Sequence, residues 1–174
     1  DWMRPLPPAT RTLVKATSRC NALPGDAVPM HPDGRALWLD MALEPWLATI
    51  LKSPGSIADV LAATPERLPL LAPGDDGVAR ELRGLPPHLL CAMGWFAERV
   101  RCVRLSRDAL RGRCLHVDFD ELLARPEAVL SGIAAHLDLD RAGVAEALAS
   151  PWWGRYSKAG EDAYAAADPV AALK

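Results

Sequence analysis

The sequence contains no long hydrophobic run, and no apolar stretch approaches the ~20 residues that a helix needs to cross a bilayer. It also has no excess of charge of one sign. The formal net charge is -2 at pH 7, which excludes a global field that would draw the chain to nucleic acid or to an anionic membrane. A secretory signal peptide is not recognisable. These absences predict a cytoplasmic protein with no membrane span and no nucleic-acid partner.

Cysteine is scarce, and the four cysteines form no CxxC pair. In a chain of this size, such separated cysteines indicate buried thiols in a reducing compartment. Lysine is also scarce, because sixteen of the twenty basic residues are arginine. Arginine favours local, bidentate contacts with anions over diffuse attraction.

The remaining composition is that of an ordinary soluble globular protein, since 50% of the residues are hydrophobic and 24% are charged. A length of 174 residues suffices for one domain with a sizeable core, so we expect a single domain over 1–174. The chain starts at Asp1 without an initiator Met, and strand-like and helix-like patterns follow almost at once. We therefore expect a piece of a longer protein.

Strand-like and helix-like patterns alternate along the chain. Short apolar or β-branched runs predict strands at 12–17, 35–41 and 112–119. Helical spacing and capping residues predict helices from Ser18 to about Pro24 and Gly25, and then over 42–52, 56–63, 89–103, 126–137 and 141–149. The alternation predicts a three-layer α/β fold with a mainly parallel sheet, right-handed crossovers and helices on both faces. Because three strands are few for such a sheet, a further strand is expected upstream.

Three segments fall outside this alternation. Residues 1–11 are expected to form an extended lead-in, the proline-rich residues 65–87 a long loop or lid, and 150–174 a C-terminal closing segment. Within the longest helix, large apolar residues recur at spacings of four and three. This periodicity predicts one core-facing stripe, formed by Leu89, Met93, Phe96, Val100 and Val103.

An acidic cluster in "HVDFDELLARPEAVL" follows the last predicted strand. His116, Asp118 and Asp120 alternate, so on a continuing strand they would share one face and could ligate a metal. No fourth ligand with motif spacing accompanies them, which favours the other interpretation, in which Asp118 or Asp120 caps a helix starting at Glu121. The apolar residues of this segment are expected to fill the core, namely Phe119, Leu122, Val129, Ile133 and Leu137.

The segment "VDFDELLARPEAVLSGIAAHLDLD" resembles the "Y-E-D-L-x-x-D-P-x-x-x-L-x-x-I-x-x-F-L-G-L" segment of the sulfotransferase family. Three further segments are similar to that family in the same order. "TLVKATS" resembles its strand with a lysine, "HPDGRALWLDMALEPWLATIL" its strand and helix that hold the 3'-phosphate, and "RYSKAGEDAY" a C-terminal loop of related bacterial members. The resemblance spans roughly residues 12 to 164 and is strongest at 117–139.

The resemblance implies a phosphate-loop (P-loop) NTPase-like fold that is incomplete at its N-terminus. It also implies transfer of a sulfuryl group from 3'-phosphoadenosine 5'-phosphosulfate to an unidentified hydroxyl or amine acceptor, without a metal. Lys15 would stabilise the transferring sulfate, although a strand-end lysine also simply extends to solvent. After that strand, Ser18 and Arg19 would contact the donor. In the C-terminal tail, the contacts would come from Tyr156, Ser157 and Lys158.

Two departures favour an alternative function. The sequence contains no glycine-rich phosphate loop, and Leu43 stands where the family has the arginine that binds the 3'-phosphate. A degenerate, non-catalytic module that binds a nucleotide or a protein therefore remains open. The arginine-rich region from Arg99 to Arg113 could suggest RNA binding, but its interspersed acids favour a solvated helix face.

Overall fold

The computed structural model describes residues 11–16, 20–151, 153, 155–156 and 159–163, and it is rich in helices. The elements are, in chain order, α1 (Leu23–Ala27), β1 (Ala36–Asp40), α2 (Leu43–Leu51), α3 (Pro54–Ala62), α4 (Thr64–Leu71), α5 (Asp76–Arg83), α6 (Pro87–Arg107), β2 (Cys114–Asp118), α7 (Phe119–Ala124), α8 (Pro126–His136), α9 (Ala142–Ala149), β3 (Arg155–Tyr156) and β4 (Ala159–Ala163).

A small parallel sheet organises the chain. Strands β1 and β2 pair from Ala36 opposite Cys114 to Asp40 opposite Asp118, and the helices α2 to α6 lie between them in sequence. Helix α6 contacts β2 through Ser106, whose Oγ is 2.8 Å from His116 Nε2, and α8 packs against β2. The prediction of an α/β chain with a parallel sheet and flanking helices is therefore confirmed at this coarse level.

The predicted strand at 12–17 is wrong for residues 12–16, which the structure describes. Residues 11–16 adopt no regular secondary structure and are exposed, and Leu13 is 87% exposed. Arg11 fixes the start of this segment, because its guanidinium donates to the Leu137 carbonyl at 2.7 Å and pairs with Asp138 at 2.8 Å. A strand forms only where a neighbouring strand takes its backbone hydrogen bonds, and an apolar run alone does not supply that neighbour.

The predicted loop or lid at 65–87 is also wrong, because it contains α4 and α5. Pro65 lies in the first turn of α4, where its missing N–H costs nothing. Asp75 precedes α5, and its Oδ1 accepts a hydrogen bond from the Val78 amide at 3.0 Å. The proline and the acidic cluster therefore start helices here.

Helix α6 packs against α2, α3 and α4 through its small residues. Cys91 and Ala97 are fully buried, and a Cβ added to Gly94 would lie 3.4 Å from Val60 Cγ1. The predicted core-facing stripe is wrong, since Phe96 is 52% exposed. Small side chains on the opposite side of α6 let the neighbouring helices approach closely, so the larger ones point outward.

The amino ends of the strands are fixed by Arg113. Its guanidinium donates to the carbonyl oxygens of Val28, His31 and Gly34, and thereby closes the turn before β1. Leu110 is fully buried beside this turn. Helix α1 contains Pro24 and Gly25, where the sequence predicts the end of a helix, because a proline in the first turn is compatible with a helix.

The segment after β2 forms two helices, α7 and α8. The residues expected to fill the core there are half-buried, and the buried residue of α8 is Ala134. Further along, β3 and β4 pair antiparallel. In the part of the chain that the structure describes, no helix combines the length and the apolar character that crossing a membrane requires.

Candidate functional site

The carboxyl ends of β1 and β2 lie side by side and end in acidic residues. Asp40 and Asp118 are the last register pair, and a helix begins shortly after each strand, α2 at Leu43 and α7 at Phe119. Ligands of parallel α/β sheets bind outside the carboxyl ends of the strands. This edge is therefore where a site is expected.

Asp118 closes the N-terminus of α7. Its Oδ1 accepts a hydrogen bond from the Glu121 amide at 3.0 Å, so the capping interpretation of the acidic cluster is confirmed for Asp118, with the helix starting at Phe119. His116 lies apart from this cap, because its Nε2 is 2.8 Å from the Ser106 Oγ. Within the described ranges, no group of three or more His, Cys, Asp or Glu is placed to hold a metal ion.

The N-terminus of α2, by contrast, has no side-chain cap. Its N-cap residue is Ala42, and Pro45 in the first turn has no N–H to donate. The amides of Leu43 and Glu44 therefore lie at the uncapped, positive end of the helix dipole. The Glu44 carboxylate in the first turn offsets part of that positive field.

Arg99 brings a positive charge to the same edge. Its Nη1 lies 2.5 Å from Asp40 Oδ2, and its guanidinium stacks 4.8 Å from the centre of the Trp95 ring. The Trp95 Nε1 donates to the Met41 carbonyl at 2.9 Å, so a hydrogen bond links α6 to the segment between β1 and α2. The Arg99 side chain is 45% exposed, which leaves donors available to a ligand.

Backbone amides at a helix N-terminus and a neighbouring arginine are the groups that bind phosphate and sulfate. Asp40 orients the Arg99 guanidinium through the ion pair, and its other oxygen accepts from the Met41 amide at 3.0 Å. The geometry at the end of β1 is thus suited to an anion. We refer to the α2 N-terminus and Arg99 together as the α2 anion site.

The thiols of Cys102 on α6 and of Cys114 at the start of β2 stay protonated. Burial, and then the neighbouring Cys114, raise the pKa of Cys102 from its ordinary value of 9.0 to about 12. Burial likewise raises the pKa of Cys114. Because the thiolate is the reactive form of cysteine, neither thiol provides a nucleophile at neutral pH.

The site residues predicted from the sequence are distributed differently. Lys15 is exposed in the irregular segment 11–16, and Tyr156 belongs to β3. The others lie outside the described residues, namely Ser18, Arg19, Ser157 and Lys158. No described hydrogen bond or ion pair links Lys15 to the α2 anion site.

Sequence reasoning missed Arg99. It was assigned with its neighbours to a solvated helix face, whereas Arg99 pairs with Asp40 and Arg101 is only 8% exposed. Leu43, at the first position of α2, leaves the place of the expected arginine without a cation. No local signal marks Arg99 as the substitute, because it lies on another helix that tertiary packing brings to the end of β1.

Comparison of the chain with protein-family models, with curated proteins and with solved structures gives no match.

Proposed function

We propose that this chain is a sulfotransferase-like domain that binds 3'-phosphoadenosine 5'-phosphosulfate at the carboxyl edge of β1 and β2 and transfers its sulfuryl group to a hydroxyl or amine. The observation that carries the proposal is the α2 anion site. Arg99 pairs with Asp40 at the end of a parallel strand, three residues before a helix N-terminus that no side chain caps. The sequence resemblance supports the same location, since this strand and helix are similar to those that hold the 3'-phosphate.

Within this proposal, the α2 amides and Arg99 hold the 3'-phosphate, and Arg99 replaces the arginine that is missing at Leu43. The sulfur–oxygen bond to the donor phosphate breaks while a bond to the acceptor oxygen or nitrogen forms. Negative charge then accumulates on the phosphate oxygen that leaves. Lys15 stabilises that charge and the transferring group, and a base removes the proton of the acceptor.

Donor-contacting roles outside the α2 anion site remain as the resemblance implies. Ser18 and Arg19, which follow residues 12–16 in the sequence, would contact the donor. Tyr156, Ser157 and Lys158 would contact it from the C-terminal closing segment, 150–174. These assignments place cations and hydroxyl groups around a highly charged ligand, as its chemistry requires.

The test is thermal stabilisation by adenosine 3',5'-bisphosphate, because a ligand that binds only the folded state raises the melting temperature. We expect stabilisation of the unmodified chain and a loss of at least about ten-fold in affinity for Arg99→Gln, since an arginine–phosphate contact contributes roughly 1.5–3 kcal/mol. Arg111→Gln is the matched control, because Arg111 is exposed after α6. An equal response of both variants would remove Arg99 from the site.

Catalysis is tested separately with Lys15→Ala. Turnover of the sulfuryl donor with a panel of simple phenols and amines should be abolished, whereas stabilisation by the bisphosphate should persist. A loss of both would make Lys15 a binding residue.

The second candidate function is a non-catalytic nucleotide-binding module. Leu43 favours it, because the apolar side chain at the first position of α2 offers the donor no charge. Stabilisation by the bisphosphate, combined with no donor turnover with any acceptor, would support this module over the enzyme.

A further inference from the structure

The outer face of α6, formed by Leu89, Met93, Phe96, Val100 and Val103, is an apolar stripe without a full cover. Leu89 is 42%, Phe96 52% and Val103 44% exposed, while Met93 and Val100 are half-buried. The opposite side of the helix already packs on α3 and α4. A helix that is apolar on two opposite sides is typical of a helix buried between two neighbours, and the described residues supply a neighbour on one side.

The spacing of the stripe identifies the kind of neighbour. Successive members are four, three, four and three residues apart, which is the a/d pattern of a heptad repeat. This pattern keeps apolar residues facing a second helix that runs alongside, over a length of about 21 Å at 1.5 Å per residue. A strand or an irregular loop would not match side chains spaced in this way.

The flanks of the stripe are basic. Arg99 and Arg104 occupy the heptad positions on either side of the apolar seam, and Arg107 continues the face toward the end of α6. The groove formed by Phe96, Arg99, Val100, Val103, Arg104 and Arg107 contains no acidic residue among the described ones. Arg99 retains 45% exposure despite its ion pair, and Arg107 is exposed. The groove is thus apolar along its floor and positive along its rim.

We propose that the outer face of α6 docks an amphipathic helix of another protein, with apolar residues in heptad spacing and acidic residues in the flanking positions. Charges at the flanking positions decide which helices pair, because opposite charges attract across the seam and like charges repel. Repulsion also argues against a second copy of α6 as the occupant. Two copies would bring Arg99 and Arg104 against the same arginines.

The experiment uses two synthetic helical peptides, each of three heptads with Ile and Leu at the core positions. One carries Glu and the other Lys at every flanking position, and both carry a fluorescent label. Binding of each peptide to the full chain is measured by anisotropy. We expect the acidic peptide to bind about ten-fold tighter than the basic one, with an affinity that falls as salt rises.

Three variants locate the binding. Phe96→Ser should weaken binding of the acidic peptide about ten-fold by removing an anchor of the seam, and Arg104→Glu should reduce the preference for the acidic peptide over the basic one. Val78→Ser is the matched control, because Val78 is a 41% exposed helical residue on α5. Urea unfolding of each variant verifies that it is folded.

Several results would overturn the proposal. The comparison of the two peptides needs only the unmodified chain, so equal binding, or no binding of either, is decisive whatever the variants do. An equal loss for Phe96→Ser and Val78→Ser would move the peptide away from α6. A dimer in sedimentation that Phe96→Ser dissociates would assign the face to a second copy.

Discussion

The Nε of Arg67 lies 2.7 Å from the Oε1 of Glu98, and the two side chains are 4% and 14% exposed. The same carboxylate lies 3.2 Å from the Nε of Arg101 and accepts a hydrogen bond from the side-chain Nδ2 of Asn21 at 3.0 Å. Arg101 forms a second ion pair with Glu66, in which its Nη2 lies 2.8 Å from the Glu66 Oε1. The Glu98 carboxylate therefore contacts two buried arginines, for which Glu66 supplies the second negative charge, and it joins α4 to the segment before α1.

Loss of that negative charge should strongly destabilise the fold. In Glu98→Gln, two guanidinium groups remain buried with less compensation, and breaking a buried pair in this way costs about 3–5 kcal/mol. The free energy of unfolding, measured with urea, provides the test. Glu146→Gln, at an exposed position of α9, should change it by less than about 0.5 kcal/mol. A similar small change in both variants would contradict a stabilising role for the network.

The raised pKa of Cys102 predicts how stability depends on pH. The unfolded chain loses this thiol proton near the ordinary pKa of 9.0, whereas the folded chain keeps it until about 12. The folded state therefore binds more protons in this window, and stability falls as the pH rises from 9.0 toward 12. Between pH 8 and pH 10 the unmodified chain should lose about 1 kcal/mol more than Cys102→Ala. Identical losses in urea unfolding at the two pH values would be inconsistent with a buried, neutral thiol.

The sequence predicted the two strands of the parallel sheet because their signals are local. β1 and β2 are short apolar runs bounded by turns, and both lie within the predicted segments. The sequence also predicted a helix cap at Asp118 or Asp120. This signal is local as well, because a capping side chain accepts hydrogen bonds from amides only a few residues away. Such interactions depend on neighbours in sequence.

The remaining features depend on contacts between distant residues. Whether 12–16 pairs as a strand is decided by a neighbouring strand, and the outward stripe of α6 is decided by small residues that pack on α3 and α4. Arg99 reaches Asp40 across 59 positions of the chain. Periodicity identifies an apolar face, but it does not say which of two apolar faces the rest of the chain covers.

The cap of α7 can be tested with two neighbouring aspartates. Asp118→Ala removes the acceptor for the Glu121 amide and should destabilise the chain by about 1 kcal/mol. Asp118→Asn should retain most of that stability, because asparagine caps about as well. Asp120→Ala is the control, since Asp120 lies in the first turn and contributes only through the dipole. A larger effect of Asp120→Ala in urea unfolding would transfer the capping role to Asp120.

Two glycines should respond to alanine with opposite signs. A Cβ at Gly34 would lie 2.7 Å from the Val28 carbonyl oxygen, in the turn that Arg113 closes, so Gly34→Ala should destabilise the chain by about 1–3 kcal/mol. A Cβ at Gly132, inside α8, would meet nothing within 4 Å. Gly132→Ala should stabilise the chain by about 0.5–1 kcal/mol, because alanine loses less conformational entropy in a helix. If the urea midpoints of both variants shift in the same direction, the turn before β1 accommodates a Cβ at Gly34 in spite of the close Val28 carbonyl oxygen.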